Sequence, residues 1–296
     1  MRTSSFFAKK PVGLMRAKID RIIAEFSGGI HRSILSGKGI EFKRLRPYSP
    51  LDPPTAIDDM ASHRLSDEPD LNPYSRVRYT LKQVSILVLL DVGETMRAPA
   101  IKEERAALVF WFLAISAFKY LDRLRVIPYA EHPLGDSGWI EGEDGLAEFF
   151  TRFGALSNPP ARLSLVRSVY SYISRLELHD TIVFVISDFV DSRDEDSAEL
   201  GQLGGRERNV KLVFCAVDEW EEFVPHGYSM RLCDPHLGVT REYSSGELNE
   251  MRTAALLRLS AIEESLRPLG AAFIRLPVLT DPLATLRQHF RRFGSK

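Results

Sequence analysis

The sequence predicts an α/β protein with a doubly wound, mostly parallel sheet, preceded by a basic N-terminal arm. Two observations carry that reading. Apolar runs short enough to be strands alternate with amphipathic stretches of helical length, the pattern of parallel strands covered on both faces. Three of those runs end in an acid at the same edge, at Asp91, Asp188 and Asp218. In open parallel sheets that edge is where ligands bind.

Taken in order, residues 14–27 place Leu14, Ile19, Ile22, Ile23 and Phe26 at helical spacing, and Gly28-Gly29 ends the pattern. Residues 30–80 show turn formers and short apolar pairs but no sustained period, and read as an irregular segment. A buried strand follows at 84–90 (VSILVLL), then a helix over 101–121 and a strand at 124–129. Trp139 and Ile140 suggest a short extra strand, with helices over 143–153 and 162–176. Residues 181–186 (TIVFVI) form a strand ending at Ser187-Asp188, before a charged helix near 195–207. The strand at 210–217 ends at Asp218. Residues 228–243 read as a hairpin inserted in the C-terminal half, 246–267 as a long helix, 271–276 as a last strand and 281–292 as a closing helix. The expected division is an arm at 1–80 and an α/β domain at 81–296.

Composition narrows the function classes. The 296 residues are 44% hydrophobic and 27% charged, with a formal net charge of -1, which argues against a nucleic-acid binder. Charge is uneven: residues 1–50 carry eleven Lys/Arg against Asp20, Glu25 and Glu41, a balance of +8 that leaves -9 for the remainder. That segment is expected to lie on the acidic body, a docking arm for an acidic partner being the other reading. Cys215 and Cys233 have neither zinc-site nor disulfide spacing. No run approaches the roughly 20 apolar residues that span a bilayer. A cytoplasmic protein is the expectation.

No glycine-rich phosphate cradle follows a strand, and no nucleophile is paired with a base. Carboxylates converging with hydroxyls at the strand ends suit Mg²⁺, which prefers hard oxygens, but the same acids can simply cap helices.

Gly37-Lys38-Gly39-Ile40-Glu41-Phe42, Arg46-Pro47-Tyr48, Asp52 and Ile57-Asp58 resemble the signature of the DUF 58 family (domain of unknown function 58). The resemblance continues through LVLLDVGETM, VFVISDFVD and CAVDEWEEFVPHG, and covers residues 30–296. Where the family shows Gly-Asp-Asp and the Trp of I-D-W, this chain has Leu51-Asp52-Pro53 and Asp59. The resemblance implies a von Willebrand A-like, Rossmannoid domain, a metal-ion-dependent adhesion site, and a MoxR-type AAA+ ATPase as protein partner in assembling or maturing other complexes.

Carried over residue by residue, that site keeps Asp91, Thr95 and Asp188, but Gly93 and Ala161 stand where hydroxyls belong. A degenerate site is expected, with no cofactor or at most millimolar Mg²⁺, and with Arg162 as the cation that could replace the metal's charge. The function expected is non-catalytic protein interaction. A metal-dependent hydrolase or phosphatase using Asp91 and Asp188 is the alternative, weakened because Gly93 removes the second acid of a D-x-D-x-T motif. Expected partner contacts are Glu94, Phe189, Asp191 and Trp220 at the strand ends, with Arg46, Tyr48 and Asp58 on the irregular segment.

Overall fold

A computed structural model of the protein describes residues 12–26, 41–49, 54–65, 73–79, 84–155, 172, 174–176, 178–179, 181–190, 210–220, 227–234 and 237–293. The helix expected at 195–207 and residues 162–171 of the helix expected at 162–176 lie outside the described residues.

The core is a five-stranded, wholly parallel sheet. Its strands are β3 (Ser85–Asp91), β4 (Arg123–Tyr129), β5 (Thr181–Ser187), β6 (Lys211–Asp218) and β9 (Ala272–Pro277), in spatial order β4-β3-β5-β6-β9. All seven residues of β3 and of β5 are buried, which is why these strands read as continuous apolar runs rather than alternating ones. The fold class is the expected α/β, with a doubly wound parallel sheet of Rossmann-like order.

Each face has its own cover. On one face Leu87, Leu89, Val183, Val185, Leu212 and Phe214 pack with Leu259, Ile262 and Leu266 of α6 (Ser245–Leu266). The alternate side chains, including Ile86, Val88 and Leu90, are equally buried on the opposite face. There α4 (Ala100–Lys119) packs against β4, β5 and β6, with every residue from Ala106 to Ala117 buried. Helix α5 (Glu143–Ala155) and α7 (Pro282–Phe293) also match their expected spans. Residues Trp139 and Ile140 contribute only an isolated antiparallel bridge, Leu124 to Ile140, along the outer edge of β4. The expected hairpin is present as β7 (Met230–Cys233) and β8 (Thr240–Tyr243).

The N-terminal residues divide between two compact units. Residues 1–24 belong with 84–289, whereas 25–83 and 290–296 form the second unit. This differs from the expected division at residue 80 because α1 (Gly13–Phe26) buries Ile19, Ile22 and Ile23 within the first unit. Charge adds to that docking: Arg16 Nη1 donates to both Glu143 oxygens at 2.8 and 2.9 Å, and Lys18 lies 2.7 Å from Asp281.

In the second unit, β1 (Glu41–Pro47) pairs antiparallel with β2 (Tyr74–Tyr79), and the short α2 (Asp59–Leu65) lies between them in sequence. Reading 30–80 as irregular missed this pair. The two strands are about thirty residues apart, and a register shift between Phe42 and Arg44 breaks the alternation that marks a strand.

Apolar burial, more than charge, should hold α1. Truncating Ile23→Ala should cost about 2–5 kcal/mol in unfolding free energy, whereas Arg16→Ala, part-exposed, should cost less than about 1 kcal/mol. Urea unfolding of both variants measures the difference. A second expectation concerns Asp122, at the start of β4, whose Oδ1 accepts the Val84 N–H at 2.9 Å. Burial pushes its carboxyl up to about 7, against the opposing effect of that hydrogen bond. A raised carboxyl pKa stabilises the fold below the unfolded value near 3.8, and the contribution is lost as pH rises to about 7. Asp122→Asn should therefore gain melting temperature relative to wild type between pH 4 and 7, with the difference constant above that.

Candidate functional site

The chain runs from β3 outward to β4, then returns to the other side of β3 to form β5, β6 and β9. Strand order reverses between β3 and β5, so the carboxyl ends of those two strands define the crevice where ligands of such sheets sit. Asp91 ends β3 and Asp188 directly follows β5.

Both carboxylates are buried and engaged. Asp91 Oδ1 accepts the Gly93 N–H at 2.8 Å, and Oδ2 accepts the Ser187 hydroxyl at 2.5 Å. Ser187 Oγ in turn accepts the Phe189 N–H at 2.9 Å, so one hydroxyl ties the ends of the two central strands. Asp188 Oδ1 accepts from the Val190 N–H at 3.1 Å and from Thr95 Oγ1 at 3.4 Å. Thr95 reaches it from α3 (Glu94–Arg97), the short turn after β3. Thr95 and Asp188, two residues of the carried-over set, therefore meet through a hydrogen bond.

The remaining oxygen of Asp188 meets a residue that sequence reasoning did not single out. Lys102, in the first turn of α4, places Nζ 2.8 Å from Asp188 Oδ2 and 3.0 Å from Glu219 Oε1. Its side chain is 2% exposed. Burial opposes the ammonium charge, but Asp188 and Glu219 outweigh it and raise the Lys102 pKa, so the group stays charged. Burial also raises the Glu219 carboxyl pKa, despite the Lys102 charge. Two signals in the sequence mark Lys102. Four and seven residues before Ala106 and Val109 of the buried stripe, it lies on the inward side of α4. It also places a cation at a helix N-terminus, where the backbone dipole disfavours one.

Arg162, the cation expected in this role, lies outside the described residues, as does Asp191. Among the described residues no group of three or more His, Cys, Asp or Glu could hold a metal ion. The outer carboxylates serve turns: Asp218 Oδ1 accepts the Trp220 N–H at 2.9 Å. Tyr129 lies fully buried near Asp91, and burial, reinforced by that charge, pushes its phenol well above its ordinary pKa. Cys215 is inert in the core of β6, its thiol pushed up to about 12 by burial.

Phe189 is a correction. It was expected as an exposed partner contact, and it is 1% exposed, packed between Phe214 and Phe273 with ring centroids 6.0 Å from each. The backbone turns there with a φ of 55°, which swings the side chain back under the sheet end rather than outward. Glu94 and Trp220 remain half-buried at the rim, and the Trp220 carbonyl accepts from Arg252 Nε at 3.1 Å. The second unit accounts for the others separately. Asp58 caps α2 by accepting the Ala61 N–H at 3.2 Å, the Tyr48 N–H donates to the Pro73 carbonyl at 2.8 Å, and Arg46 pairs in register with Ser75.

Among the described residues no helix is long and apolar enough to cross a membrane. The chain matches no family model, and no curated protein matches it. Solved structures give low similarity. The conserved hypothetical protein BatB from Bacteroides thetaiotaomicron is 11% identical over 72% of this chain and all of that one, with a TM-score of 0.41. An aerotolerance-related membrane protein from Bacteroides fragilis NCTC 9343 is 12% identical over 72% of this chain and 98% of that one, with a TM-score of 0.39. Values this low carry no argument about function; the class of the protein rests on its own strand order.

The burial of Phe189 has a measurable consequence. Phe189→Ala should lower unfolding free energy by about 3–5 kcal/mol, as deletion of a fully packed aromatic does. Chemical denaturation tests this, and a loss below about 1 kcal/mol would return Phe189 to the surface.

Proposed function

We propose that this chain is a non-catalytic protein-interaction or scaffold protein whose adhesion-type site uses a lysine ammonium in place of a divalent cation. The observation that supports this reading is Lys102, buried with its Nζ 2.8 Å from Asp188 and 3.0 Å from Glu219. A metal at that carboxylate would need oxygen ligands and would be repelled by a fixed positive charge. Catalysis finds little support in the same geometry. Asp91, the candidate nucleophile, has one oxygen on the Gly93 N–H and the other on the Ser187 hydroxyl, so both of its oxygens are engaged in structural hydrogen bonds.

The finer reading comes from the sequence. Its resemblance to the DUF 58 family supports membership of that family, with a MoxR-type AAA+ ATPase as partner in assembly or maturation of other complexes. The rim residues Glu94 and Trp220 are the contacts retained on the α/β unit, and Arg46, Tyr48 and Asp58 those on the second unit.

Two measurements test this. Wild-type protein should show no change in melting temperature in 1 mM Mg²⁺, and it should bind a purified MoxR-type ATPase equally with and without EDTA. A rise of several degrees in Mg²⁺ that Asp91→Ala abolishes would refute the ammonium reading. Lys102→Met should lose about 3–5 kcal/mol of stability, because it strands Asp188 as an unpaired buried charge.

A further inference from the structure

Away from the strand-end edge, a cavity of about 670 Å³ lies beside the first half of β4, between the segment at 135–142 and helix α5. Its size is that of a small-molecule site. Helical spacing puts residues 145, 148, 149 and 152 on one face of α5, so Glu148, Phe149 and Arg152 line the cavity while Leu146 and Phe150 are buried. Phe149 and Phe153, one turn apart, stack with ring centroids 6.1 Å apart. Trp139 adds a third ring to the lining. Its indole already attracts cations, with the Arg123 and Arg125 guanidiniums 5.3 and 5.8 Å from the ring centroid.

Charge in the lining is unequal. Asp136, Glu141 and Glu148 stand against one guanidinium, Arg152, which forms a water-exposed ion pair with Glu148. Asp136 is matched by Arg125, at 2.9 and 2.5 Å, and also accepts from the Gly138 N–H and the Tyr172 hydroxyl. Arg123 donates to Ser85 Oγ at 3.1 Å and is not part of the lining. Glu141, exposed, has no ion-pair partner among the described residues. One negative charge is therefore left over beside three aromatic rings. A primary ammonium there would have three N–H groups to satisfy. Asp136 has no free oxygen for it, and Ser137 Oγ is committed to the Val126 N–H and the Gly138 carbonyl. A quaternary ammonium has no N–H to satisfy, and π faces with a nearby carboxylate suffice to hold it.

We infer that this cavity binds a small quaternary ammonium compound, with its head group against Trp139, Phe149 and Phe153 and with Glu141 as the counter-charge. The volume leaves room for a short chain attached to the head group. A phosphate on that chain would meet the charges of Glu141 and Glu148, so the ligand is a free cation and not the zwitterionic head group of a lipid. The site is separate from the Lys102 edge. Ile140 bridges to Leu124 near the start of β4, whereas Asp91 pairs in register with Tyr129 at its end.

The test titrates full-length protein, isotopically labelled at the tryptophan indoles, with choline; Trp139→Phe identifies the Trp139 resonance. Choline should shift that resonance saturably. It should bind about ten times more tightly than its neutral carbon isostere neohexyl alcohol, and more tightly than ethanolamine or phosphocholine. Glu141→Gln, at an exposed position, should weaken choline binding roughly fivefold. A Cβ at Gly142 in the lining would meet nothing within 4 Å, so Gly142→Phe should fill the cavity and abolish binding with the melting temperature near that of wild type. No saturable shift with choline, equal affinity for choline and neohexyl alcohol, or undiminished binding in either variant would overturn the inference. Phosphocholine binding as tightly as choline would overturn the assignment to a free cation. None of these results bears on the Lys102 reading, which its own Mg²⁺ and melting measurements decide.

Discussion

The structure depends on how a positive charge is kept inside the carboxyl edge of a parallel sheet. Strand ends of this sheet bring Asp91, Asp188 and Asp218 to one edge, all buried. Unbalanced carboxylates in that setting would repel one another and resist desolvation. The Lys102 ammonium and the hydrogen bonds from Gly93, Ser187, Thr95 and Val190 offset that conflict. The arrangement is exacting rather than strongly stabilising, since the desolvation of a buried pair offsets most of its attraction. Its effect is to fix where the ends of β3, β5 and β6 lie relative to the start of α4.

Beneath that edge the sheet is mainly apolar. The strands are buried on both faces, and each face needs only residues of suitable size opposite α4 or α6. Helix α1 extends the same logic by burying three isoleucines, with Arg16 and Lys18 settling its orientation through pairs that remain near water. Phe189 belongs to this apolar layer, although it follows a strand-terminal acid directly. The contrast between Asp188 and Phe189, adjacent in sequence and turned to opposite surroundings, comes from the left-handed backbone at residue 189.

What distinguishes Glu219 from the strand-end aspartates is its access to water. Asp91, Asp188 and Asp218 are each locked by backbone N–H groups close in sequence, a local geometry that makes a turn rather than a receptor. Glu219 is held by Lys102, a side chain from a different element.

The parallel sheet and its helices were legible in the residues alone, because length, apolar periodicity and turn formers are local properties. Spans such as 84–90 and 246–267 fall within a residue or so of β3 and α6 for that reason. The positions of Asp91, Thr95 and Asp188 at one edge followed too, since strand ends in a parallel sheet share a side. The β1–β2 pair escaped notice, its strands being far apart and broken by a bulge. The inward turn of Phe189 escaped as well, since a single backbone dihedral decides it. Above all, nothing local announces that Lys102 meets Asp188 across 86 positions and Glu219 across 117. The helical spacing puts Lys102 on the inward side of α4, but only the packing of α4 against the sheet shows which carboxylates it meets there. The sequence by itself determined which acids line the edge; only the tertiary structure decided that a cation of the chain's own lies among them, because charge pairing at that range is settled by packing and not by spacing.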